Sequence, residues 1–274
     1  MNIFEAIIYG IVQGLTEFLP VSSTAHLKIV SSFMGWSDPG AAFTAIVQIG
    51  TMLALIVYFF SDIVNFISHG IRSIRNKNLL ETTESKHAWM IVCGTIPVVI
   101  FGLIFKDAIE TYLRSLYVIS SALIGLALLL VFAEKRAKLQ KDVNDATWYD
   151  AIVMGFAQAL ALIPGVSRSG ITITSGLLTG LTRESAARFA FLLGIPAVFA
   201  SGLYELWEIR HEISGNLSAI IISTVVAGIV GYLTIDFLLK YLKKHTTFIF
   251  IYYRIALGIL ILILLALGIL TPYN

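Results

Sequence analysis

Within fourteen residues near the start of the chain lie an amide, a carboxylate, two hydroxyls and an imidazole: Gln13, Glu17, Ser22, Ser23 and His26. Gln13 and Glu17 are four apart, so in a helix they share one face. A serine becomes a nucleophile when a neighbouring base takes its proton. A histidine or a carboxylate serves as such a base, or as a general acid. A second group lies half a chain later, at Pro164-Gly165-Val166-Ser167-Arg168-Ser169-Gly170-Ile171-Thr172. Arg168 is the only charged residue between 151 and 182. An arginine at membrane depth costs about 3 kcal/mol or more and faces a cavity and a partner. Arginine grips phosphate bidentately. Ser167, Ser169 and Thr172 add donors, and Gly165 and Gly170 allow close backbone approach. Each residue has a plainer role when taken alone. Glu17 could be a helix-end charge, His26 an interfacial residue, and the serines helix caps. Their joint occurrence opposite an arginine motif points instead to a site for a phosphate or diphosphate.

The elements that must hold these residues are read from hydropathy. Of 274 residues 57% are hydrophobic and 13% charged, with mean hydropathy +0.86. A soluble domain carries ~25% charged residues, so this is a polytopic membrane protein. The net charge of +2 says little about partners, and no nucleic-acid partner is expected. The single cysteine, Cys93, excludes a disulfide framework and is read as core filler. No cleavable signal peptide is expected, since a basic n-region is missing and Glu5 interrupts the segment. Six stretches, about 41–60, 88–105, 115–133, 187–204, 215–238 and 248–270, meet the ~20-residue requirement for a spanning helix. Regions 3–34 and 150–182 are apolar but interrupted, and each is read as two half-helices joined by a polar turn, a re-entrant hairpin.

The interrupted regions resemble each other. Gly10, Gln13 and Leu15 align with Gly155, Gln158 and Leu160, and Ser22 with Ser167, at an offset of 145. Broken apolar segments at matching positions in two halves indicate a repeat protein with its site at the midplane. Lysines and arginines concentrate in loops 61–87, 134–150 and 239–247, which places those loops in the cytoplasm. The predicted fold is therefore an all-α polytopic membrane protein. It has six transmembrane helices plus two re-entrant hairpins, in inverted repeats of about 1–133 and 150–274 joined by a cytoplasmic loop, 134–149. Each second half-helix begins at its serines. Two helix N-termini converging on one spot would bind an anion.

Gln13-x-x-x-Glu17 followed by Pro20-Val-Ser22-Ser23-Thr-Ala-His26, with the later Pro164-Gly-Val-Ser167-Arg168-Ser169-Gly-Ile-Thr172, resembles the undecaprenyl-diphosphate phosphatases of the bacitracin-resistance type. The similarity covers the whole chain, including Tyr253-Arg254. It implies an integral membrane hydrolase acting on the lipid-carrier diphosphate for cell-wall synthesis, in a bacterial membrane, working on the extracytoplasmic side and forming a homodimer. It implies a divalent cation, Mg²⁺ or Ca²⁺, at Glu17 and Gln13. It also implies Ser23 as nucleophile, with His26 and Glu17 as acid/base or metal-linked groups. Arg168 with Ser22, Ser167, Ser169, Thr172, Gly165 and Gly170 would bind phosphate. Many members carry Glu where this chain has Gln13, which weakens a two-carboxylate metal site.

Direct attack by water without a covalent Ser23 intermediate remains open at this point. A transporter or flippase for a phosphorylated polyprenyl lipid is the alternative, since inverted broken-helix repeats are transporter architecture. The Glu17–Ser23–His26 group favours an enzyme. A phosphatidic-acid-type phosphatase is disfavoured, because the chain lacks an Arg-Pro dipeptide. Arg254 is expected either to snorkel to the cytoplasmic interface or to pair with Asp236. Gln48 would line the cavity or bridge helices. His69, His87, His211 and His245 are placed in solvated loops, and run 61–87 in a surface-lying segment or loop.

Overall fold

The breaks predicted from Pro20 and from Pro164-Gly165 divide the chain where they should. The computed structural model describes residues 1–37, 40–209 and 217–273. Among these are twelve α-helices: α1 (Ile3–Phe18), α2 (Ser23–Met34), α3 (Gly40–Tyr58), α4 (Phe60–Arg75), α5 (Thr83–Ile104), α6 (Lys106–Glu110), α7 (Leu116–Arg136), α8 (Trp148–Leu160), α9 (Arg168–Leu178), α10 (Arg183–Ile209), α11 (Leu217–Leu242) and α12 (Phe248–Ala266). No named strand occurs among them. The chain is an all-α polytopic membrane protein. Five helices, α5, α7, α10, α11 and α12, are long and apolar enough to cross a bilayer, and α3 joins them when counted with α4 across a 76° bend. All six predicted spans therefore correspond to helices.

Helices α1, α2, α8 and α9 have 16, 12, 13 and 11 residues. At 1.5 Å per residue each is about 24 Å or shorter, less than the ~30 Å hydrocarbon core. Each pair folds back on itself. Phe4, near the start of α1, packs edge-on against Trp36, just beyond α2, at 6.3 Å. Lys141 makes the same kind of closure for α8 and α9. Its Nζ donates to Asp150 in the first turn of α8 at 2.9 Å. Its backbone NH donates to Gly180 O, just past α9, at 3.1 Å. The helix starts are set by capping boxes, Asn2 with Glu5 for α1 and Thr147 with Asp150 for α8, which satisfy N–H groups the helix cannot.

Small residues let the half-helices approach spanning partners. Helix α1 packs on α11, where a Cβ on Gly10 would lie 2.7 Å from Ser223 O. Helix α8 packs on α5, where a Cβ on Gly155 would lie 2.4 Å from Gly94 O. Helices α7 and α12 pack on each other between the two hairpins, with Leu116, Ile119, Leu123, Ile261 and Leu265 buried against Ala25 and Ile29 of α2.

Three expectations are corrected. Cys93 is exposed on α5 rather than core filler. His87 is not in a loop; it is a buried residue of α5 held edge-on between Phe66 and Phe189. His69 belongs to α4 rather than a loop, and His211 lies outside the described residues. Residues 61–75 of the run read as a surface-lying segment or loop belong to helix α4, whose Phe60, Val64, Ile67, Ile71 and Ile74 form an exposed apolar stripe. That spacing is the amphipathic helical period.

Candidate active site

The two breaks meet. Pro20 has no N–H to continue α1 and holds Leu19 extended, at φ −64° and ψ 142°. The chain then passes through Ser22 at φ 74° and ψ 104° and enters α2 at Ser23. In the second break Ser167 has φ 71° and ψ 117°, and α9 starts at Arg168. A non-glycine residue at such a φ costs about 1–3 kcal/mol and marks sites where the surroundings impose the geometry. Ser169 Oγ of one hairpin donates to Leu19 O of the other at 3.1 Å.

At the junction Glu17 is a hub. Arg168 Nη2 donates to its Oε1 at 2.7 Å, and Gln48 Nε2, from α3, donates to the same oxygen at 2.9 Å. Ser23 Oγ and Gln13 Nε2 donate to Oε2 at 2.9 and 3.0 Å. Arg168 is further held through Nη1 to Gly194 O of α10 at 3.2 Å. Glu17 is buried and the Arg168 side chain nearly so, with 18% exposure. Removing either partner would strand a charge, at a cost of about 3–5 kcal/mol.

A cavity of about 600 Å³ opens over this pair. Glu17, Ser22, Ser23, Gly165, Ser167 and Arg168 line its floor, and the apolar Val98, Leu103, Leu162 and Val198 stand on its walls. The wall continues to Lys106, Arg114 and Tyr204. The N-termini of α2 and α9 both reach it, so unpaired N–H groups and Arg168 address one volume.

Not every predicted residue is at that surface. Ser169 and Thr172 are buried, and Thr172 Oγ1 donates back to Arg168 O at 2.7 Å. Gly170 N donates to Ser167 Oγ at 3.2 Å, so here the serine is a helix cap. Ser169, Gly170 and Thr172 shape α9 rather than line the cavity, whereas Ser167 does both. His26 also faces elsewhere. Its Nδ1 donates to Ser22 O at 2.7 Å, which leaves Nε2 of the neutral ring to accept from Tyr253 OH at 2.6 Å. The two rings stack with centroids 5.5 Å apart. Arg254 neither snorkels nor pairs with Asp236, which is held by Lys240 and Tyr58. It is fully buried and donates only to backbone carbonyls. Gln48 fulfils both of its expected roles, because it lines the cavity and bridges to Glu17. Its signal was a lone amide in an apolar span. Tyr253 enters the sequence reading only beside Arg254 in the resemblance, and nothing there points it toward His26.

The donor set suits a hard cation. The candidate ligand atoms are the Glu17 oxygens, each already accepting two hydrogen bonds, and Gln13 Oε1, which is buried without a partner. Among the described residues no three His, Cys, Asp or Glu side chains come together. One carboxylate and one amide oxygen are ligand atoms of the hard-cation type rather than the transition-metal type.

Residues 6–260 match the family described as Bacitracin resistance protein BacA. The chain is similar to an "Undecaprenyl-diphosphatase" of Chlorobium limicola, 58% identical over 280 aligned positions that cover 98% of this chain and 99% of the relative. It is likewise similar to one of Chlorobium phaeovibrioides, 56% identical over 282 positions covering 99% and 100%, and to one of Chlorobaculum tepidum, 54% identical with the same coverage. A match of this extent, with both break motifs inside it, makes the chain a member of the BacA bacitracin-resistance family.

Proposed function

We propose that this membrane protein hydrolyses undecaprenyl diphosphate to undecaprenyl phosphate and inorganic phosphate, recycling the lipid carrier of cell-wall synthesis. The relatives named above carry that activity in their names. The observation that carries the reading is the junction of the two breaks, where a serine, a carboxylate and an arginine meet at two helix N-termini under an apolar-walled cavity. The diphosphate would lie on the floor of the cavity and the isoprenoid along its apolar walls.

The roles proposed here follow the hydrogen bonds at the junction. Ser23 Oγ attacks the terminal phosphorus in line, and its proton passes to Glu17, whose Oε2 already accepts its hydrogen bond. The bond from that phosphorus to the bridging oxygen breaks, and undecaprenyl phosphate leaves without needing a proton. Water then splits the phosphoserine, Glu17 returns the proton to Ser23 Oγ, and the water's proton leaves with the phosphate. Arg168 and the N–H groups opening α2 and α9 stabilise the equatorial oxygens. Glu17 is better placed than His26 to serve Ser23, because His26 is turned toward α12. A divalent cation held by Glu17 and Gln13 Oε1 would neutralise phosphate oxygens.

The halves are proposed to be inverted repeats, each opening with a re-entrant hairpin. Supporting this, the α8–α9 hairpin returns to Lys141. The basic segments also gather through Lys243–Glu184 and Arg183–Glu134 pairs. The cavity wall instead runs to Lys106 and Arg114, in a loop poor in lysine and arginine, which supports an extracytoplasmic opening.

The test is phosphate release from undecaprenyl diphosphate by purified Ser23→Ala protein. A loss of at least about a thousandfold is expected, and a rate within a few-fold of wild type would remove Ser23 as nucleophile.

A further inference from the structure

The backbone of a helix break inside a bilayer has carbonyls outside helical bonding, and those turned away from the cavity must find a donor in the protein. In this protein the donor for both breaks is one side chain, on a helix remote in sequence from either. Arg254 of α12 donates through Nη1 to Pro20 O at 3.1 Å, in the first break. Through Nη2 it donates to Gly165 O at 2.9 Å and Val166 O at 3.1 Å, in the second. Nε reaches Leu123 O of α7 at 3.2 Å, and Nη2 also approaches Ala122 O at 3.4 Å. Among the described residues no carboxylate pairs with it, and the residue is 0% exposed.

Burying an unpaired cation is costly. The cost is offset here because five carbonyls share the charge, three of them otherwise unmet in the breaks. The planar fork is what allows this. Three nitrogens in fixed directions reach three segments at once, whereas a lysine ammonium is a single point with three hydrogens.

The position of these segments gives Arg254 its consequence. Pro20 lies three residues from Glu17 and three from Ser23. Val166 lies two from Arg168. The guanidinium between their backbones therefore joins the Glu17–Arg168 pair and the Ser169–Leu19 bond in setting the spacing of the nucleophile and its base from the phosphate-binding arginine. We propose that Arg254 is a positioning residue for the phosphatase reaction, setting the two breaks in register from behind the site. The inference rests on the phosphatase reading only for its kinetic arm.

The test uses full-length Arg254→Lys and Arg254→Met proteins in lipid nanodiscs, with two measurements. Hydrogen–deuterium exchange, which needs no activity, should quicken at 19–22 and 161–168 in both variants while the spanning helices keep wild-type protection. Exchange unchanged in both breaks would overturn the proposal. Steady-state kinetics on undecaprenyl diphosphate should show kcat reduced at least about tenfold and KM raised several-fold in Arg254→Lys, with Arg254→Met worse. A merely structural role would reduce the folded fraction, lowering apparent kcat with KM unchanged, because the surviving molecules are normal. That pattern would also overturn it. Were wild-type protein to release no phosphate, the reaction assignment would fall while the exchange result still judged the clasp.

Discussion

The two breaks share a backbone and divide the chemistry. Ser22 and Ser167 occupy the same left-handed φ, at 74° and 71°, and sit 145 residues apart. At that offset Gln13 corresponds to Gln158 and Gly10 to Gly155, but Glu17 corresponds to Leu162, Ser23 to Arg168 and His26 to Ile171. One break thus carries the acid and the hydroxyl, and the other carries the cation. The Glu17–Arg168 pair joins positions that are not equivalent at this offset. Two breaks of similar backbone make one site through differences at a few positions.

The comparison is broken most severely at the charges. Arg168→Ala removes the cavity-floor cation and strands Glu17, so activity should fall at least about a thousandfold in a phosphate-release assay. Gly155→Ala should come next, because the new Cβ would sit 2.4 Å from Gly94 O. Melting of that variant in detergent should reveal a loss of about 1–3 kcal/mol. Gly10→Ala meets Ser223 O at 2.7 Å and should show a similar but smaller loss. The two strained serines sharpen the contrast. Ser22 makes no side-chain cap bond, whereas Ser167 accepts from Gly170 N. Ser22→Gly should therefore be neutral or stabilising by about 1 kcal/mol, from relief of positive φ. Ser167→Gly should gain less, because it also loses a cap. Equal responses would mean that the two turns are held alike. An effect of similar size is expected from Tyr253→Phe, which removes one hydrogen bond to His26: about 1 kcal/mol of stability should be lost in the same melting measurement.

Much of this was legible in the sequence for a physical reason. Spanning helices are written in long apolar runs, and Pro20 and Pro164-Gly165 end helices by local chemistry alone. Arg168's isolation announces a partner, and that partner is Glu17. What the sequence did not display were contacts that depend on how helices turn toward each other. His26 was grouped with Glu17 by proximity, yet three residues of α2 rotate it toward α12 and away from the cavity. Thr172 and Gly170 looked like ligands and instead complete α9. Arg254 was weighed against the nearest acid because a buried cation suggests a carboxylate, whereas its partners are backbone carbonyls, which carry no mark in a sequence. The amphipathic stripe of α4 was readable and lay hidden only in a region otherwise full of charges.

The central claim is that the two breaks form one site through Glu17 and Arg168, and a double-mutant cycle tests it most directly. Phosphate release from undecaprenyl diphosphate would be measured for Glu17→Gln, Arg168→Gln and the double variant. Groups acting as one unit are non-additive, so the double variant should be no slower than the slower single variant. Losses that multiply across the two sites would contradict a shared centre.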